Sequence, residues 1–185
     1  MITTKSINTG TKILFSALLA GVMFFVPVLA EASRLYHAAP KAAAKSILKK
    51  GIDPLKFRKG GRFNEMWYAS KRPSTAIAEK GKRSVVLRFK THKNLEQNAI
   101  DLRNPTAPKL RFLLGEKLSL RGKIKNKIIG PKLGHKLGQI AKKKDKVILF
   151  RSVKTRETNL AMSGRTLKKH PLIARPEKIV QQSFK

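Results

Sequence analysis

Residues 60–79 decide how the chain is read: Gly60-Gly61-Arg62-Phe63-Asn64-Glu65-Met66-Trp67-Tyr68-Ala69-Ser70, then on through Pro73-Ser74-Thr75-Ala76-Ile77-Ala78 to Glu79. A glycine-hinged arginine leads into a short apolar run, Met66–Ala69, that reads as a strand. A helix then starts within Ser70–Pro73 and turns Ala76, Ile77 and Ala78 inward, and Gly81 stops it. The stretch thereby joins three kinds of group that a dinucleotide pocket needs. The planar fork of Arg62 suits phosphate, because it donates two parallel hydrogen bonds. Tyr68 offers a flat face to a ring, and Glu79 a carboxylate for ribose hydroxyls or a developing positive charge. The spacing alone also fits a rim with a solvated arginine, a core tyrosine and a helix-end glutamate. Glu79 faces the negative end of its helix dipole, which is locally unfavourable and argues that it is placed for a purpose.

Outward from this stretch, elements alternate along the body. Arg34–Ala38 reads as a short strand. Pro40 opens a helix over Lys41–Lys50, with Ala43, Ile47 and Leu48 as its buried stripe and Gly51 as its stop. Ile52–Asn64 is a loop. Ser84–Lys90 alternates as a strand, with Val85, Leu87 and Phe89 on one side. Ala99–Leu102 is a strand and Leu110–Leu114 is helical. Ser119–Ile129 is a basic stretch expected to be a mobile loop, and Gly130-Pro131 opens a helix through Lys143 carrying Leu133, Leu137 and Ile140. Lys146–Phe150, Asn159–Met162 and Glu177–Val180 complete the strands, with Arg151–Glu157 as a polar loop. Strands in runs with helices between them predict one α+β domain, a small mixed β-sheet core with flanking helices. No P-loop, GxGxxG, HExxH or zinc spacing occurs, and no metal is expected.

Lys and Arg total 42 against 10 Asp and Glu, a formal charge of +32. Such a balance says nothing about fold but favours polyanionic partners: nucleic acid, an anionic membrane surface or an acidic protein. There are no cysteines, which excludes disulfides and thiolate metal sites. The N-terminus carries Lys5 and Lys12, an apolar run from Ile13 to Ala30, and small residues at Val28-Leu29-Ala30 and Ala30-Glu31-Ala32. These are the parts of a secretory signal peptide, here residues 1–32, and predict a secreted or periplasmic body from Ser33 on. Left uncleaved, the run is long enough to anchor the chain in a membrane. Its removal takes away two lysines and no acid ahead of Glu31, so the body stays strongly basic.

In order and spacing, three motifs resemble the RES domain, within the ADP-ribosyltransferase superfamily. Gly60-Gly61-Arg62-Phe63-Asn64 is similar to that family's GGRWN, and Tyr68-Ala69-Ser70 with Ser74–Glu79 to its Y-x-(A/S)…ALA-x-E. Leu149-Phe150-Arg151-Ser152 with Asn159 resembles its late V-P-S…N segment, and Tyr36-His37 the Y-H-G opening strand of the wider superfamily. The likeness spans roughly Arg34 to Pro171. Here His37 stands where the family usually has arginine, Phe63 replaces tryptophan, Arg151 replaces proline, and Ala38 replaces the glycine after the histidine.

RES proteins act on NAD as intracellular toxins, degrading it or transferring its ADP-ribose. The resemblance implies an ADP-ribosyltransferase-like fold and NAD as substrate, cleaved at the nicotinamide–ribose bond. It further implies that Arg62 binds the pyrophosphate, Tyr68 stacks on nicotinamide, and Glu79 stabilises the oxocarbenium-like transition state. Tyr36 and His37 would serve the ribose, with Ser152 and Asn159 adding polarity. His92, His135 and His170 lack ligand spacing and read as surface. The acceptor could be water, a protein side chain or nucleic acid. An exported enzyme of this kind would act inside a target cell, with a neutralising partner in the producer. Two other readings compete: a non-enzymatic cationic protein on nucleic acid or anionic membrane, and a basic ribonuclease using His37 and a lysine.

Overall fold

The computed structural model describes residues 33–57, 59–81, 83–91, 93–115 and 124–182. The expected signal peptide, His92 and residues 119–123 of the basic stretch lie outside them. Every strand and helix named below belongs to the unit Glu31–Lys185. No helix among the described residues is long and apolar enough to cross a membrane.

Seven strands form one mixed sheet. They are β1 (Ser33–Ala39), β2 (Trp67–Ser70), β3 (Val85–Thr91), β4 (Ile100–Leu102), β7 (Ile148–Arg151), β8 (Thr158–Met162) and β9 (Lys178–Gln182). Their order is β4-β7-β8-β2-β1-β3-β9, parallel at β4–β7 and antiparallel elsewhere. A small hairpin, β5 (Ile124–Lys125) with β6 (Ile128–Ile129), stands apart. The helices are α1 (Lys41–Lys50), α2 (Pro73–Lys80), α3 (Ala107–Leu114), α4 (Pro131–Lys143), α5 (Gly164–Lys168) and α6 (Pro171–Ala174).

The alternation of strand side chains splits the core across the two faces of the sheet. Leu35, Trp67, Ala69, Leu87, Phe89, Leu149 and Leu160 form one cluster, covered by Ala44 and Ile47 of α1 and by Leu167 and Ile173 of α5 and α6. The opposite face carries two clusters. Ile148, Phe150 and Ala161 pack with Leu110 of α3 and with Leu133, Leu137 and Ala141 of α4. Ala38 and Val86 pack with Ala76 of α2. Between these two clusters the sheet face is not filled by apolar side chains, and the site lies there.

Helix α4 seats its neighbour through absent side chains. A Cβ on Gly134 would meet the Arg62 carbonyl oxygen at 2.2 Å, and one on Gly138 would meet that of Phe63 at the same distance. The two glycines, one turn apart, thus let the 62–63 backbone lie directly on the helix.

The architecture agrees with the expected mixed sheet, and several details are corrected. In α1, Ala44 is buried and Ile47 half-buried, while Ala43 and Leu48 face out; the inward stripe is turned from the one expected. The basic stretch is not loop to its end. Ile124–Ile129 is a hairpin, turned by Asn126 and Lys127 at positive φ, and Ile129 is buried because it joins the α4 cluster. The late strand begins at Ile148 rather than Lys146, and β2 runs one residue beyond its expected end, to Ser70. Helices α5 and α6 were not expected, being only a turn or so long; Ser163 caps the first by accepting from the Thr166 N–H at 3.1 Å.

Gly138→Ala should lower stability by about 1–3 kcal/mol, the usual cost of forcing an extra carbon into a packed contact. Thermal unfolding of the variant beside Gln139→Ala, on the exposed face of α4, measures this. An unchanged melting temperature for Gly138→Ala would disprove the close contact.

Candidate functional site

The glycines, asparagine and tyrosine of the opening stretch fold into one self-closed loop. Gly60 has φ +90, and Asn64 takes the left-handed conformation that asparagine tolerates. The Asn64 N–H donates to the Gly61 carbonyl at 2.8 Å, and the Gly60 N–H donates to Asn64 Oδ1 at 3.3 Å. A Cβ at Gly61 would come within 2.7 Å of the Tyr68 hydroxyl, so a side chain there would displace that ring. That hydroxyl accepts from the Phe63 N–H at 2.9 Å. Phe63 is buried edge-on against Phe150, ring centroids 4.9 Å apart, and anchors the loop in the core.

Arg62 is aimed by this loop. Its Nη1 donates to the Arg151 carbonyl at 3.0 Å, and its guanidinium carbon lies 5.1 Å from the Phe150 ring centroid. Burial pushes its pKa down and the nearby Glu79 opposes that shift; a guanidinium so placed stays protonated near neutral pH. One of its five N–H donors is committed to Arg151, which leaves others for a ligand. Arg151 itself braces two chain segments, reaching the Arg103 carbonyl at 2.9 Å and Asn104 Oδ1 at 3.4 Å on one and the Arg156 carbonyl at 3.1 Å on the other.

The second feature is a split in the sheet. β1 pairs with β2 only at Tyr36↔Ser70, and the two strands then diverge. The imidazole of His37 takes the place of the missing ladder bond, with Nδ1 2.7 Å from the Tyr68 carbonyl oxygen. A carbonyl can only accept, so Nδ1 carries the proton and Nε2 of the neutral ring presents a lone pair. Burial lowers the His37 pKa to about 4; the Tyr68 carbonyl opposes this and Lys80 adds to it. Burial pushes the Tyr68 phenol the other way, up. Tyr68 therefore stays a neutral phenol with its ring among Phe63 and Phe150.

The third feature is Glu79. Its Oε1 accepts from the Ser152 hydroxyl and, at 3.1 Å, from the Val153 N–H. Ser152 is fully buried and is itself held, its Oγ accepting from the Lys154 and Thr155 N–H groups at 3.1 and 3.0 Å. Asp53, Glu65, Glu96, Asp101, Asp145, Glu157 and Glu177 each have a lysine or arginine nitrogen within 4.0 Å. Among the described residues no cation comes that close to Glu79. Neutral dipoles hold it instead, in a chain where cations outnumber acids about fourfold.

These features enclose a cavity of about 340 Å³ on the unfilled part of the sheet face. Tyr36, His37, Arg62, Tyr68, Glu79 and Asn159 all line it, six of the seven residues singled out in the sequence. Asn159 is buried, its Oδ1 accepting from the Ser70 hydroxyl at 2.6 Å. Ser152 is not among the residues that line this cavity; its hydroxyl is directed at Glu79. A second cavity of about 490 Å³ lies against α1 and shares His37, Ala38, Tyr68 and Lys80 with the first.

His135, expected at the surface, is half-buried, with Nε2 2.9 Å from the Gly61 carbonyl oxygen; it secures the arginine loop to α4. Its position one residue after Gly134 was the available clue. Lys80 and Phe150 are further cavity residues that sequence reasoning did not single out. Phe150 immediately precedes Arg151 in the late motif and was within reach of it. No group of three or more His, Asp or Glu side chains among the described residues is placed to hold a metal ion.

No family model and no curated protein matches the sequence. Among solved structures, a chain of the M. tuberculosis MbcT-MbcA toxin-antitoxin complex is similar, at 12% identity and a TM-score of 0.48 over 80% of this chain and 83% of that one. A likeness of that size carries no argument about activity, and the site is read from its own geometry.

The His37 shift has a definite sign. Between about pH 4 and 6.5 the unfolded chain binds a proton that the folded chain does not, so this contribution to stability is complete above 6.5 and is lost as pH falls toward 4. Against His37→Gln, the wild type should lose about 1–3 kcal/mol more over that window. Denaturant unfolding at a series of pH values reads the difference; parallel curves would show that His37 is not held neutral.

Proposed function

We propose that the chain is an exported, RES-like effector that cleaves NAD at the nicotinamide–ribose bond, by hydrolysis or by mono-ADP-ribosyl transfer. The observation that carries this reading is the state of Glu79: a carboxylate fixed by a hydroxyl and an amide, with no lysine or arginine nitrogen of the described residues within 4.0 Å, on the wall of a cavity that Arg62 also lines. A salt-bridged carboxylate has its field largely cancelled by its partner. One held by neutral dipoles keeps its charge for a cation that develops beside it, which here would be the oxocarbenium-like ribose as nicotinamide departs.

The remaining groups take roles their geometry permits. Arg62 offers its free N–H donors to the pyrophosphate. His37, with Nδ1–H committed to the Tyr68 carbonyl, offers Nε2 as an acceptor to a ribose hydroxyl. Tyr68 presents its ring to the nicotinamide while its hydroxyl remains on the arginine loop. Ser152 is a positioning residue that aims Glu79. A cavity of 340 Å³ falls within the range of small-ligand sites and suits the nicotinamide–ribose half of NAD. The likeness of the motifs to the RES domain and the signal-like N-terminus support a toxin that acts outside its producer, with a neutralising partner there. A cationic protein without catalysis is favoured by the charge alone.

The test is nicotinamide release from NAD by the full chain, with and without cell lysate as a source of acceptors. Glu79→Gln should lower kcat by about 10²–10³-fold, the range for loss of one electrostatic stabiliser. Ser152→Ala should lower kcat by about tenfold with KM little changed, whereas Arg62→Ala should chiefly raise KM. Absence of release by the wild type in both settings would overturn the proposal, as would release that survives Glu79→Gln.

A further inference from the structure

We infer that the acceptor of the ADP-ribosyl group is a single-stranded nucleic acid, whose base enters the 490 Å³ cavity while its phosphates lie on lysines at the mouth. This rests on the NAD-cleaving reading of Glu79 and names the second substrate of that site.

The larger cavity shares His37, Ala38, Tyr68 and Lys80 with the one that Glu79 lines, so the two meet at the split between β1 and β2. Its volume is in the range of small-ligand sites, and Ile47, Phe57, Met66 and Trp67 give it apolar walls with two aromatic rings, as a base requires. Its charged lining is cationic. Lys56 and Lys80 are in the wall against the one carboxylate there, Asp53, which accepts from the Leu55 N–H at 3.0 Å and pairs with Lys56 at 3.9 Å, so the lining keeps one net positive charge. Ala42 and Ser46 also line the cavity, and Lys50 follows them at the same helical interval. The same row therefore ends in an exposed lysine, with exposed Lys49 beside it. A polyphosphate chain gains affinity from such cations by counterion release.

An anionic membrane would use the same charges but needs a contiguous apolar face to insert. Here Leu48, Leu55, Phe112, Val153 and Ile179, the exposed large apolar residues among those described, fall in five separate stretches of chain, Leu55 and Val153 outside the named helices and strands. A single strand is required, because a base inside a duplex cannot enter a pocket without leaving its stack. In the transfer, a base nitrogen forms a bond to C1′ of the nicotinamide ribose as the C1′–N bond to nicotinamide breaks. The electron pair of that bond leaves on nicotinamide, released as a neutral molecule, and the proton of the acceptor nitrogen passes to solvent.

The full chain is incubated with NAD labelled in its adenylate phosphate and with a single-stranded RNA of about 20 nucleotides, long enough to span a single-strand site. Parallel samples take the same sequence as DNA, its duplex, polyglutamate, or phosphatidylglycerol vesicles. Nicotinamide release and label on each polymer are read in parallel. The expected result is label on a single strand, RNA or DNA, at least about tenfold above the duplex, falling steeply with salt. The double variant Lys49→Glu/Lys50→Glu should lose about tenfold of that labelling, while its nicotinamide release without polymer stays within about twofold of the wild type. Normal nicotinamide release with no label on any nucleic acid overturns this inference and leaves the NAD reading standing. So does labelling indifferent to the lysine variant, or co-sedimentation with vesicles in place of strand labelling. Absence of nicotinamide release with every polymer overturns both.

Discussion

Two glycines on α4 carry the contact on which the site depends. Gly134 and Gly138 leave no side chain between the helix and the 62–63 backbone, so main chain lies on main chain. From that contact the rest follows in steps. The Phe63 ring enters the α4 cluster, its N–H engages the Tyr68 hydroxyl, and Arg62 is turned toward the cavity, where the Arg151 carbonyl catches it. Backbone-on-helix contacts are stiff, because neither partner has rotamers with which to adjust. A loop that must hold a guanidinium against a small ligand benefits from such stiffness.

The opposite wall is built by a different device. Glu79 sits where its own helix would repel it, in the last turn of α2. The loop after β7 supplies what the helix end lacks, a hydroxyl and an amide that donate to the carboxylate. The other described acids are drawn to lysines and arginines, as expected in so basic a chain. Ser152 prevents the same outcome at Glu79 only in the sense that it fills the hydrogen-bonding capacity of Oε1 with neutral donors. The charge itself is left available to the cavity.

Between the two walls the sheet opens. β1 and β2 meet at one residue pair and part, and His37 fills the break with its ring. The substitution of a side chain for a ladder bond fixes the tautomer of that ring, holds it neutral, and leaves cavities that share it as a common wall. One structural irregularity thus supplies an acceptor for a ligand and the space that the ligand would occupy.

The sequence by itself determined the elements whose signals are local: the proline-opened helices α1 and α4, the glycine stops at Gly51 and Gly81, and the alternation of Val85, Leu87 and Phe89. It also set out Arg62, Tyr68, Glu79, Tyr36, His37 and Asn159, which prove to share one cavity. Tertiary structure alone decided which way α1 turns, since Ala43 and Ala44 are alike in sequence and differ only in what the sheet presents to them. It decided that Ile124–Ile129 pairs as a hairpin, because burial of Ile129 depends on a helix that comes later in the chain. It decided, too, that the Ser152 hydroxyl meets Glu79 across 73 residues of chain. A carboxylate's surroundings are set by distant segments that folding brings together, and no local pattern encodes them.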